Sequence, residues 1–263
     1  DQKSYTQTLS SMPSEARVTL EFCENPTWYI VTALPGLRAC EETTSMGAAG
    51  AIFSAAVAQG IVVNDKDISM AIHRWLASDQ SDSTLVSMLL RNQDLKITLL
   101  NASPWVTDVM NDTERMTRLA LLFNKDEINQ TYETNIKLLA KLQRNGGGWA
   151  WIDQCDKASV WATLNILANF GQLKRLNFLR SDNQLNEMIK NAVLFIDRYY
   201  AQEFTRYPKG DYTNYLLTRS YYPEIKQSTA ASKVTAAQLQ HIISEWKKMT
   251  TIEKSIAAII LNA

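Results

Sequence analysis

Residues 185–200 read LNEMIKNAVLFIDRYY. Leu185, Met188, Ile189, Ala192, Val193, Ile196, Tyr199 and Tyr200 recur at steps of three and four, so they share one side of a helix. The same period recurs along the chain. Ile68, Ala71, Ile72, Trp75 and Leu76 make one stripe; Ile128, Tyr132, Ile136, Leu139 and Leu142 make another; Ile252, Ile256, Ile259 and Ile260 make the last. Breakers fall between the stripes: Pro35-Gly36, residues 101–104 (NASP), Gly146 to Gly148, residues 207–210 (YPKG) and Pro223. Helices of ordinary length joined by short polar loops describe stacked antiparallel helix pairs. A closed ring and an open solenoid of such pairs look alike at this level.

The start of the chain has a different period. In residues 17–22 (RVTLEF), Val18, Leu20 and Phe22 alternate with Arg17, Thr19 and Glu21, which predicts a half-buried strand. Residues 5–9 are β-prone, and residues 10–14 (SSMPS) supply a turn. Residues 1–24 are therefore expected to be a β fragment of a flanking domain, with too few strands to stand alone. Residues 25–263 are expected to be helical. The class expected is all-α with a short β extension at the N-terminus. The last stripe is still running at Ala263 without a breaker, and no charged-then-apolar leader precedes Asp1. The first observation predicts that the natural protein continues past Ala263, with the last helices of this domain missing; the second, with Asp1 in place of Met, predicts an excerpt or a processed piece.

Composition excludes several classes. Hydrophobic residues make up 46% of the 263, enough for a sizeable core. Lys+Arg and Asp+Glu both number 27 and are interspersed, so no basic stripe points to nucleic acid. No apolar run reaches the roughly 18 residues a membrane span needs. Cys23, Cys40 and Cys155 cannot all pair within the chain, and they lack the spacing of a zinc site. They read as small buried apolar residues. His73 and His241 are the only histidines, so general-base catalysis has few candidates.

Residues 146–151, GGGWAW, follow a helix expected over Glu127 to Arg144. The glycines suit a left-handed C-cap and a tight turn, with Trp149 or Trp151 lidding the core. Gln143, Gly147 and Trp149 together resemble the Q-x-x-x-G-x-W repeat of terpene cyclases, which also build rings of helix pairs. The acid or metal apparatus of those enzymes is absent: there is no D-x-D-D run, and Asp65 and Asp67 mark a helix start. Residues 153–156, DQCD, flank a thiol with two carboxylates and read as solvated loop acids. No nucleophile elbow or phosphate-binding loop occurs. The sequence predicts no catalytic residue, no metal site and no cofactor.

Residues 25–37, NPTWYIVTALPGL, run into the loop Cys40-Glu41-Glu42-Thr43. This resembles the entry into the thioester-bearing domain of the α2-macroglobulin family, bacterial branch, where a similar helix leads to a C-x-E-Q loop. The resemblance continues through residues 89–96 (LLRNQDLK), 103–106 (SPWV), 119–123 (LALLF), 142–151 (LQRNGGGWAW) and 215–220 (YLLTRS). It implies an α/α toroid inserted into a β-rich, CUB-like domain of a larger secreted or envelope-associated protein. It also implies a periplasmic or extracellular setting and a role in protease entrapment. The implied partners are neighbouring domains of the parent and the target proteases.

A thioester needs a thiol and, three residues on, a glutamine whose side-chain carbonyl becomes the acyl group. Cys40 can supply the thiol, but Thr43 stands where the glutamine belongs and has no acyl carbon to give. Glu42 matches the family's glutamate and is one residue too close to replace the glutamine. Cys40, Glu41, Glu42 and Thr43 therefore resemble a disarmed thioester motif. What remains is Thr43 or Thr44 as N-cap of a helix running to about Gln59, whose small residues (Gly47, Ala48, Ala49, Gly50, Ala51, Ala55, Ala56) allow close approach. The expected role is structural or binding, in an entrapment machine that works without covalent capture. The rival is a toroid enzyme of the terpene cyclase or polysaccharide lyase type, which an acid- or metal-bearing central cavity would mark.

Overall fold

A computed structural model describes residues 33–34, 43–64, 70 and 125–262. The described residues include seven helices and one 3-10 turn: α1 Ser45–Asn64, α2 Lys125–Leu142, α3 Val160–Arg175, α4 Asn183–Arg206, α5 Thr213–Ser220, α6 Thr229–Glu245, the 3-10 turn Trp246–Lys248, and α7 Thr251–Leu261. The all-α class holds over the described residues. Their only β feature is an isolated antiparallel bridge between Gln143 and Trp149. The expected β fragment 1–24 and the stripe Ile68 to Leu76 lie outside the described residues.

Several of the helices start where side-chain caps satisfy the first amides. Ser159 caps α3 and Asp182 caps α4, whose Oδ1 accepts from Leu185 N–H at 2.8 Å. Ser228 caps α6, and Thr250 closes a capping box with Glu253 at the start of α7. The far end of α3 is shaped by Asn177 at φ 57. Asn177 N–H reaches Lys174 O and Phe178 N–H reaches Leu173 O, the paired bonds of a Schellman ending. This ending leaves Phe178 packed over Gly60 of α1, where a Cβ would lie 2.6 Å from the ring.

The packing follows two rows. Helix α1 packs on α3, α3 on α5, and α5 on α7; in the second row α2 packs on α4, and α4 on α6. Contacts of α1 with α2, α3 with α4, and α4 with α5 join the rows. Helix α1 is buried on nearly every side, with Ala49, Ile52 and Ala58 fully enclosed. That is why its small residues form no stripe: a helix with neighbours all round needs no polar face.

The stripes of α2 and of α4 up to Ile196 are buried as their period predicts. At the end of α4, Tyr199 is 37% exposed and Tyr200 half-buried. The last stripe is buried only in part. Ile260 is buried as its period predicts and Ile256 and Ile259 are half-buried, but Ile252 is 73% exposed, and Ala257, outside the stripe, is buried where α7 packs on α5. Two boundaries also move. Helix α1 runs on to Asn64, and α2 stops at Leu142, two residues short of Arg144, where the chain turns into the bridge.

Candidate functional site at the glycine-tryptophan turn and the start of helix α1

The turn after α2 is built on glycine. Gly147 N–H donates to Arg144 O at 2.7 Å and Arg144 N–H to Gly148 O at 2.9 Å, closing a tight reversal. Gly147 sits at φ 95, in the left-handed region, and a Cβ there would lie 2.3 Å from the backbone oxygen of Asn191 in α4. The left-handed glycine thus belongs to the turn and not to a helix C-cap, since α2 has already ended. The Gln143 amide donates to Gly147 O at 2.7 Å and to Met188 O at 2.8 Å, tying the turn to α4. Arg198 of α4 donates to Gly146 O.

Trp149 is the residue that enters the core. It is fully buried, its Nε1–H donates to Leu139 O at 3.1 Å, and its backbone N–H donates to Thr163 Oγ1 at 2.9 Å. Its ring meets Phe170 edge to face. Trp151 is 39% exposed and lies 5.6 Å, centroid to centroid, from Trp161, itself 59% exposed. Of the two indoles, one fills the core and the other joins a surface pair.

The same turn receives the start of α1. Ser45 N–H donates to Trp151 O at 3.0 Å, and Thr44 Oγ1 accepts from Gly47 N–H at 2.9 Å. Of the two threonines, Thr44 is therefore the cap, while Thr43 is exposed. Ser45 Oγ is buried, and among the described residues it has no hydrogen-bond partner. Farther along α1, Ser54 Oγ donates to Leu34 O at 2.9 Å, tying that residue of the NPTWYIVTALPGL segment to the helix. Two motifs more than a hundred residues apart in sequence are thus joined by one backbone hydrogen bond. Cys40, Glu41 and Glu42 lie outside the described residues.

Of the two loop acids, Asp153 is engaged at the surface. Asp153 lies 2.7 Å from Lys141 Nζ, and that hydrogen bond holds its carboxyl below the usual range. Arg144 donates to Cys155 O and Asp153 O. Cys155 is a half-buried free thiol, and no three metal-ligating side chains converge among the described residues.

One polar cluster escaped the sequence reading. Asp197, 2% exposed, lies 3.2 Å from Arg219 Nε and accepts from Tyr215 Oη–H at 2.8 Å. Arg219 also donates to Tyr222 O and Ile225 O, so it fastens the loop after α5 onto α4. Burial, the largest cause, pushes the Asp197 carboxyl up, and Arg219 and Tyr215 pull it back. Its signal was present: Asp197 stands four residues after Val193, on the buried side of α4.

Comparison with known protein families, curated proteins and solved structures gives no match. No described helix is long and apolar enough to cross a membrane.

Proposed function

We propose that this chain is the helical toroid of a bacterial α2-macroglobulin-like protein, acting as a structural and binding part of a machine that entraps proteases without a thioester. The single observation that carries the reading is the hydrogen bond from Ser45 N–H to Trp151 O. It seats the helix that follows the C-x-E-T loop on the GGGWAW turn, two segments that separately resemble the same family domain. The two rows of helices suit a toroid, in which one row lines the inside and the other the outside. The exposed Trp151–Trp161 pair beside this junction suits docking against a neighbouring domain, since large aromatics are favoured anchors of interfaces. Among the described residues Gln143 is spent on turn and helix carbonyls and Asp197 on Arg219 and Tyr215, which favours a binding role over the toroid-enzyme alternative.

The test uses the parent protein with a broad-specificity protease. Entrapment should abolish cleavage of a large protein substrate and spare cleavage of a small peptide substrate. No protease adduct should survive denaturation. Equal loss of both activities would point to active-site blockade and overturn the reading.

A further inference from the structure

Helices α5, α6 and α7, with the loop before α5, line a partly open cavity of about 260 Å³ at the end of the helical array. Its floor is apolar: Leu216, Ile242, Ala257 and Ile260 are buried, with Met249 beside them. Gln238 adds a polar side chain to the floor; the residue is more than nine-tenths buried, and no hydrogen bond among the described residues engages its amide. At the rim stand Asp211 and Glu253, with Lys209 and His241. Both carboxylates are fixed by backbone amides: Asp211 Oδ1 accepts from Thr213 N–H at 2.9 Å, and Glu253 Oε2 accepts from Thr250 N–H at 2.7 Å. Each keeps a second oxygen for another donor. The Thr250 hydrogen bonds hold the Glu253 carboxyl below its usual range, so it is ionised at neutral pH.

We propose that this cavity binds a primary ammonium group on a short aliphatic stem, either a free amine or a lysine side chain of a peptide. An ammonium has three N–H donors. Asp211, Glu253 and the Gln238 carbonyl oxygen offer three acceptors, two of them charged, while Leu216, Ile242 and Met249 receive the methylenes. A carboxylate of the same size meets two like charges. An alcohol of the same size lacks the charge. Lys209 is exposed at the rim, so an entering ammonium meets one like charge there.

The experiment titrates the 263-residue chain with n-butylammonium, n-butanol and butyrate, followed by amide chemical shifts. The ammonium should perturb residues of α5 to α7 and bind about tenfold more tightly than either isostere. Glu253→Gln keeps the capping hydrogen bond and removes the charge, so it should weaken n-butylammonium about fivefold with only a small drop in melting temperature. Gln238→Leu should weaken it similarly, and Lys209→Gln should tighten it. N-acetyl-lysine amide binding more tightly than n-butylammonium would identify a peptide lysine as the source; the reverse order would identify a free amine. Equal binding of n-butanol, or shifts unaffected by Glu253→Gln and Gln238→Leu, would overturn the proposal.

Discussion

Replacing Arg219 with methionine is expected to lower stability by about 3–5 kcal/mol at neutral pH, because it leaves the Asp197 carboxylate buried and unpaired. Among the described residues Asp197 Oδ2 has no hydrogen-bond partner, so the carboxylate depends chiefly on Arg219 and Tyr215, with the Arg198 charge a smaller help. The loss should also depend on pH. Burial raises the Asp197 carboxyl above its ordinary value, and removing the main opposing charge raises it further. A carboxyl raised in the folded state contributes stability below its unfolded value, about 3.9, and loses it as pH rises through the folded value. The Arg219→Met deficit should therefore be full at pH 7 and shrink as pH falls toward 4. The double variant Asp197→Leu/Arg219→Met removes both charges and should recover at least half of the deficit. Urea unfolding at both pH values reads all three; a deficit under about 1 kcal/mol at pH 7, or one that grows on acidification, would contradict this role.

Gly147→Ala is the second large effect. An L-residue in the left-handed region costs about 1–2 kcal/mol. Forcing a methyl into an occupied space costs about 1–3 kcal/mol more. Here the atom that would be struck, 2.3 Å away, is the Asn191 backbone oxygen, which cannot rotate aside. A melting temperature lower by roughly 10 °C is expected, at about 2–4 °C per kcal/mol for a chain of this size. Gly146→Ala is the control: its Cβ would sit 3.7 Å from Phe195, an ordinary contact, with no positive φ to relieve. It should change stability by less than about 1 kcal/mol. Equal losses from the two substitutions would show that Gly147 is not the pivot of the turn.

Periodicity made α2 and α4 legible because each buries one side and wets the other. Helix α1 was legible only as small residues before a capped start; its enclosure by α2 and α3 comes from partners far along the chain. Ile252 shows the limit of the stripe. Period says which residues share a side, and only tertiary packing says how much of that side is covered. Gly60, Gly148 and Gly171 show the same limit. Each admits an aromatic ring from elsewhere (Phe178, Phe195 and Tyr221), which no local pattern specifies. At the candidate site, the missing glutamine was visible in the letters Cys40 to Thr43, whereas the bond from Ser45 to Trp151 required the fold. Asp197 and Arg219 were readable as charges and not as a pair, since they sit on different helices.

The most direct test of the central claim is the intact mass of the chain before and after methylamine, with thiols titrated in parallel. A thioester between Cys40 and an acyl donor would leave the untreated chain lighter by one ammonia or water. Methylamine would then add its mass and release a thiol. The disarmed loop predicts a mass equal to that of the sequence, no methylamine adduct and no newly released thiol. An adduct formed together with a released thiol would contradict the account and show that the loop is armed for covalent capture.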